Sequence, residues 1–501
     1  MINALLNAFF RRRTGRFKKF ESIPFEIQQD QLLKLLRMAA HTEFGKTYNF
    51  AKIHSVEEYR KQVPLFYYED YKSYIDRVRQ GEQNVIWPTP IRWLAKSSGT
   101  TDGKSKYIPV TTEGLQQCHY QGGRDALAVY ASWYPDNQLF TGKCLTLGGS
   151  HQIDKLNEHV HTGDLSAILI QHLPFYIHWL RTPSLQTALL SNWEEKLEKI
   201  TKEVIRQKVT SFAGVPSWNL VLMKHILEYT GKKNMLEVWP SVELFIHGGI
   251  SFKPYKDQYY KLFPSSSMHY LETYNASEGF FAVQDNPHDE SMLLMLDYGI
   301  FYEFIPVDRL KEDPPPVCHI GEVKPHTDYA MVISSCNGLW RYIVGDTVKF
   351  TSVYPHKIVI TGRTKHFINA FGEELIVENA EKALAEACKA TGALVNEYTV
   401  APVYFGDHRK GTHEWIVEFE KQPNDIQLFI DVLDKTLMEL NSDYEAKRYK
   451  SITMDKPVVR VVKKGTFYQW CRQKNKLGGQ NKIPRLFNER TYAEEILKLN
   501  Y

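Results

Sequence analysis

The chain has little cysteine. Six residues, at 118, 144, 318, 336, 388 and 471, are spread over 501 positions with no C-x-x-C pair. That spacing argues against a zinc ribbon or a disulfide framework and reads as reduced, mostly buried thiols of a cytoplasmic protein. Long apolar runs are missing too, since no stretch approaches the roughly 18 to 20 residues of a membrane span. In the first segment, Met1-Ile-Asn-Ala-Leu-Leu-Asn-Ala-Phe-Phe10, the charges of Arg11-Arg-Arg13 follow the apolar run and no small-residue cleavage site is present. A secretory signal has the opposite order, so an amphipathic helix docked on the body is expected, without stable membrane insertion. An excess of one charge is absent as well: 62 basic against 58 acidic residues leave a net +4. With no basic stripe between aromatics, nucleic acid is not an expected partner. No G-x-S-x-G elbow supports a hydrolase triad. No internal repeat or low-complexity tract is evident.

What is there is ordinary in bulk: 43% apolar, 24% charged and 13% aromatic residues, as in folded soluble proteins with large cores. Leu32, Leu33, Leu35 and Leu36 open a mostly helical stretch over 25–95. From about 105 to 360 strands and helices are expected to alternate, with strands near 143–147, 209–213, 242–246 and 268–274 and helices over 192–208 and 218–229. Such alternation predicts an α/β sheet whose ligands bind beyond the carboxyl ends of its strands. A boundary falls near Thr361-Gly-Arg-Thr-Lys365. Beyond it the pattern is a small α+β unit, with a helix from Val377 to Thr391 stopped by Gly392, a strand through Trp415, Val417 and Phe419, and a helix over 425–440. The expected domains are therefore 1–361 and 362–501, joined by a short polar hinge.

The most informative stretch is Ser97-Ser-Gly-Thr-Thr-Asp-Gly-Lys-Ser-Lys106. Glycines allow close backbone approach, hydroxyls and amides donate to phosphate oxygens, and lysine supplies charge. Only three residues separate Gly99 and Gly103, and an extended Pro-containing segment follows, so the stretch is not a Walker A loop. Four motifs come after it. His247-Gly-Gly-Ile250 lets a flat ring lie against the backbone. Tyr274-Asn-Ala-Ser-Glu-Gly279 ends in a carboxylate suited to Mg²⁺ bound together with phosphates. Trp340-Arg-Tyr-Ile-Val-Gly-Asp346 offers an acceptor for ribose hydroxyls. Gly362-Arg-Thr-Lys-His-Phe-Ile-Asn-Ala-Phe-Gly372 lies on the expected hinge. Singly, each is also an ordinary turn or strand end. His151, His159 and His161 lack a further spaced ligand and read as exposed loop residues.

In this order and at these intervals the motifs resemble the adenylate-forming superfamily, in which acyl and aryl acid ligases activate a carboxylate as an acyl-adenylate. Within it the chain is most similar to the auxin-responsive acyl acid–amido synthetases. The likeness rests on Ser97–Thr101, on Tyr274-x-x-Ser-Glu278, on Phe301-Tyr-Glu-Phe-Ile-Pro306 and on Arg341-Tyr-x-x-Gly-Asp346. Gly478-Gly-Gln-Asn-Lys-Ile-Pro-Arg485 fits a bacterial branch.

The resemblance implies ATP and Mg²⁺ as cofactors. Ser97, Ser98, Gly99, Thr100 and Thr101 then hold the phosphates, with Lys104 or Lys106 nearby. Gly248, Gly249, Asn275 and Ala276 frame the adenine. Ser277 meets the carboxylate or α-phosphate, Glu278 the metal, and Asp346 and Arg363 the ribose. Lys365 is implied as the hinge residue. Lys482 is implied as the catalytic lysine, with Lys464 in competition because a P-x-x-G-K form is absent. Trp218 lines the acyl pocket or simply packs in the core. The implied partners are a small carboxylic acid and an amine, such as an amino acid. Transfer to coenzyme A or another thiol is one alternative, and a non-catalytic nucleotide-binding protein is another.

Overall fold

The structure is a computed structural model. It describes residues 2–97, 106–147, 154–190, 192–249, 252–364, 367–368, 375–403, 411–441, 444–445, 448, 454–474, 483–487 and 489–500. The chain divides into two compact units. The large one comprises residues 1–249 and 264–359, the small one 250–263 and 360–501. Residues 250–263 thus cluster with the C-terminal part of the chain.

The large unit is built on a mixed sheet of twelve strands. One half is parallel: Arg181–Thr182, Lys143–Thr146, Val209–Gly214, Leu244–Gly248 and His269–Ala276 lie side by side in that order. The helices Trp193–Val204 and Pro216–Thr230 sit between the strands of this half in sequence, as the alternation predicts. Pro216 opens the second helix, where its missing N–H costs nothing. The expected alternation stops there. From Gly279 to Arg363 the described chain is a series of antiparallel strands with only one short turn of 3₁₀ helix, Val307–Arg309. Several of these strands, such as Gly279–Gln284 and Ile300–Pro306, are buried on both faces and so lack the period-two pattern that marks a half-exposed strand.

A second, four-stranded sheet joins Lys106–Val110, Trp93–Ser97, His161–Gly163 and Asp154–Lys155. The N-terminal helix, Ile2–Arg13, is docked on the large unit. Asn3 and Asn7 both donate to the Asn137 carbonyl, at 2.7 and 3.1 Å, Phe10 stacks on Phe140, and the Arg13 guanidinium reaches buried Asp125 at 2.9 Å. No helix among the described residues is long and apolar enough to cross a membrane.

In the small unit the helices Val377–Thr391 and Ile426–Leu440 cover a sheet of Leu394–Val403, Thr412–Lys421 and Val458–Val462. Gly392 ends the first helix at φ 65°, and the Asp425 carboxylate caps the second. The segment carrying the helix Lys256–Leu262 is fixed in this unit. Gln258 donates to the Val395 carbonyl at 2.9 Å, and Arg485 donates to the Tyr255 hydroxyl at 2.9 Å.

Candidate functional site

The glycine-rich stretch joins two paired strands. Ser97 lies opposite Lys106 in an antiparallel register, so the loop is the connection of a hairpin and not merely the approach to one strand. Ser98, Gly99, Thr100, Thr101 and Lys104 lie outside the described residues, and of Ser97 only the backbone is described. Where the second strand begins, Lys106 places its ammonium 5.3 Å from the centre of the Tyr68 ring, whose hydroxyl accepts from the Tyr107 N–H at 2.9 Å.

The exit of this hairpin is tied to the carboxylate turn by a residue the motifs did not single out. Buried Asn337 accepts from the Thr111 N–H at 3.1 Å and donates to the Glu278 carbonyl at 3.4 Å. Thr111 in turn donates to the Cys336 carbonyl at 2.7 Å and accepts from the Gly114 N–H at 2.9 Å. Gly114 must be glycine, since a Cβ there falls 1.9 Å from the Asn337 amide oxygen. An Asn-Gly pair at 337–338 is legible as a turn signal, but its partners 59 and 226 residues away are not.

Ser277 and Glu278 are the two residues of a tight hairpin turn, with Ala276 paired to Gly279 on its two sides. Each is only 6% exposed. A two-residue turn has few backbone conformations, so it holds the carboxylate in one place. Asn275 and Ala276 are half-buried at the end of the incoming strand. Beside that strand Gly248 pairs with Thr273, and a Cβ at 248 would lie 2.3 Å from the Thr273 carbonyl oxygen. Gly249 follows at φ 82°, a conformation that favours glycine. Both positions are built for glycine, at the carboxyl end of an interior strand.

Two histidines stand next to these loops. Burial pushes the His247 imidazole down to about 3 and the His119 imidazole down to about 4, the latter partly offset by the Asn275 side chain. Both are neutral near pH 7.

Asp346 sits on the strand Tyr342–Val353, where the pairing with Asp328–Ser335 slips between Ala330 and Val332. Gly345 takes φ 92° within this irregularity. A bulge re-aims the side chains it carries. Here the Tyr274 hydroxyl donates to Asp346 Oδ2 at 2.7 Å, joining the carboxylate-turn motif to the Gly-Asp motif. Arg341, from the same motif, forms a buried ion pair with Glu303.

Arg363 ends the strand His356–Arg363 and only its backbone is described, while Lys365 and Lys482 lie outside the described residues. Lys464 precedes the helix Thr466–Gln473, is 61% exposed at its side chain and pairs with Glu420 at 3.3 Å. Trp218 is buried in the first turn of the helix Pro216–Thr230.

No group of three or more His, Cys, Asp or Glu able to hold a metal occurs among the described residues. A single carboxylate at a turn fits Mg²⁺ carried in on a nucleotide, because that ion keeps several waters and phosphate oxygens and needs only one or two carboxylates.

A large mixed sheet followed by a small α+β unit is a fold shared with solved acid ligases. A solved 2-hydroxyisobutyryl-CoA ligase in complex with its acyl-AMP superposes with a TM-score of 0.62 at 11% identity, covering 94% of this chain and 91% of that one. Models of the GH3 family N-terminal, central and C-terminal domains match residues 13–268, 293–363 and 378–491. The chain belongs to the GH3 family. It is similar to the indole-3-acetic acid-amido synthetase GH3.4 of Arabidopsis thaliana, with 21% identity over 92% of this chain and 89% of that protein. It is also similar to the solved AtGH3.15 acyl acid amido synthetase in complex with 2,4-DB, with a TM-score of 0.78 at 20% identity, covering 95% and 93% of the two chains. Nothing in these likenesses supports the bacterial branch suggested by residues 478–485.

Proposed function

We propose that this protein activates a small carboxylic acid with ATP as an acyl-adenylate and then forms an amide with an amino acid. The observation that carries this reading is the convergence, in a GH3-family chain, of the Ser277–Glu278 turn, the Gly248–Gly249 pair and Asp346, linked by the Tyr274–Asp346 hydrogen bond. In the first half-reaction a carboxylate oxygen attacks the α-phosphorus and the bond to pyrophosphate breaks. In the second, a neutral amine attacks the acyl carbon, the bond to AMP breaks, and the nitrogen loses a proton.

Two anions meet in the first step, so the site must cancel charge. Ser97, Ser98, Gly99, Thr100, Thr101 and Lys104 serve the phosphates, Gly248, Gly249, Asn275 and Ala276 the adenine, and Asp346 with Arg363 the ribose. Ser277 meets the reacting groups. Glu278 holds Mg²⁺, which supplies electrostatic stabilisation of the phosphate charge when bound. Lys482 supplies a compact cation at the developing charge, and its flexible stem suits delivery by a mobile small domain. The division at 361/362 with Lys365 as hinge belongs to this reading, as do Trp218 in the acyl pocket and a cytoplasmic location. An amine is preferred to a thiol as acceptor because the matched GH3 relatives bear the names of amido synthetases.

The test is exchange of labelled pyrophosphate into ATP across a panel of acids, with Mg²⁺ present and absent. Acid- and Mg²⁺-dependent exchange is expected, followed by an amide product when amino acids are added. ADP and phosphate as products overturn the adenylate mechanism, and a thioester with coenzyme A overturns the acceptor.

A further inference from the structure

Tyr274 is the one aromatic hydroxyl built into the carboxylate-turn motif, and the site as proposed gives it no role. Tyr274 is 4% exposed and its ring meets Phe281 edge-on at 4.8 Å, so packing fixes where its hydroxyl oxygen lies. The hydroxyl donates to Asp346 Oδ2 at 2.7 Å, a well-formed O–H···O distance. Asp346 sits beside Gly345 in an irregular stretch of strand pairing, where backbone geometry alone leaves the carboxylate plane free to rotate about its last torsion. A carboxylate has about four lone-pair positions, and a donor held on Oδ2 sets the orientation of its plane.

We infer that Tyr274 is a positioning residue for nucleotide recognition: its hydroxyl orients the Asp346 carboxylate so that both ribose hydroxyls can donate to it. The inference rests on the reading of Asp346 as the ribose acceptor. The pair also connects the two motifs physically. The strand His269–Ala276 delivers both the metal carboxylate, through the turn at its end, and the group that sets the ribose acceptor, from its buried face. Correct seating of the ribose and of the α-phosphate is then coupled through one strand.

The test uses the full chain, AMP and 2′,3′-dideoxy-AMP, with affinity read by titration calorimetry. Tyr274→Phe keeps the ring against Phe281 and removes only the oxygen. It is expected to weaken AMP binding about tenfold, the worth of one hydrogen bond to a charged group, and to leave dideoxy-AMP binding unchanged. In an Asp346→Asn background the same substitution is expected to change AMP binding little, since the carboxylate it orients is gone. Equal weakening of both nucleotides by Tyr274→Phe makes the hydroxyl a packing or folding element and overturns the inference. Asp346→Asn provides the second, independent check. If it binds AMP as the unmodified protein does, or if the unmodified protein does not distinguish AMP from dideoxy-AMP, the ribose reading of Asp346 fails first and takes this inference with it.

Discussion

Arg341 and Glu303 meet as a buried, two-pronged ion pair, Nε to Oε2 at 2.9 Å and Nη2 to Oε1 at 3.1 Å. They come from two of the motifs that carry the family resemblance, Phe301–Pro306 and Arg341–Asp346, and the structure makes one a clasp for the other. The guanidinium also donates to the carbonyls of Val63 at 2.6 Å and Arg60 at 3.1 Å, while Arg341 itself is held at φ 41°. Five residues on lies Asp346, so the clasp anchors the strand that presents it. Glu303→Gln leaves the Arg341 charge buried without a full partner. Breaking one side of such a pair typically costs about 3–5 kcal/mol. Urea denaturation is expected to show that loss, and an unchanged midpoint refutes the role.

Gly248→Ala tests the glycine end of the strand Leu244–Gly248. The new methyl group meets the Thr273 carbonyl oxygen at 2.3 Å, a backbone atom that cannot swing aside, so the two strands must part. Overpacking of this kind costs about 1–3 kcal/mol. The expected outcome is a raised KM for ATP together with a lower Tm. Wild-type KM in a stable Gly248→Ala protein counts against adenine lying there.

Acid sensitivity follows from the buried histidines. His119, His247 and His356 are held down to about 4, 3 and 4 by burial, against 6.5 in an unfolded chain. Below pH 6.5 the unfolded state takes up protons that the folded state refuses, so stability is full above that value and is lost as pH falls toward 4. Each histidine contributes a slope of about 1.4 kcal/mol per pH unit across this window. Urea midpoints are expected to drop from pH 7 to pH 5, and His119→Gln is expected to make the drop shallower. Parallel profiles for the two proteins contradict the assignment.

Much of this was legible in the chain, for physical reasons. The parallel half of the sheet announces itself because its strands are separated by amphipathic helices such as Trp193–Val204, and the small unit because Gly392 and Asp425 are unambiguous helix ends. The antiparallel half was hidden. Strands such as Asp328–Ser335, buried on both faces, lose their period-two signature. The turn and the Gly-Asp motif were picked out as candidates because glycine and charge stand out against apolar strands. Asn337 and the Tyr274 hydroxyl were not, because their work lies in contacts between positions 59 to 226 residues apart, and no local pattern encodes such a partner.

The two lysines are separated by half-reaction. Lys482→Ala is expected to slow formation of the acyl-adenylate by about 10²–10³, the usual loss when one preorganised group facing developing charge is removed. Amide formation from chemically supplied acyl-adenylate is expected to change much less, because that step breaks the acyl C–O bond and forms no pentavalent phosphorus. ATP affinity is expected to fall only modestly, since the glycine-rich loop, Gly248 and Asp346 supply the nucleotide contacts. Lys464 offers the contrast. Its side chain is mostly exposed and already engaged with Glu420, and exposed pairs of this kind contribute little. Lys464→Ala is therefore expected to adenylate at close to the normal rate. Single-turnover assays of both variants decide the matter: loss of adenylation in Lys464→Ala with near-normal Lys482→Ala moves the catalytic role to Lys464, and places the reacting cation at the start of the helix Thr466–Gln473 instead of on the segment leading to Arg485.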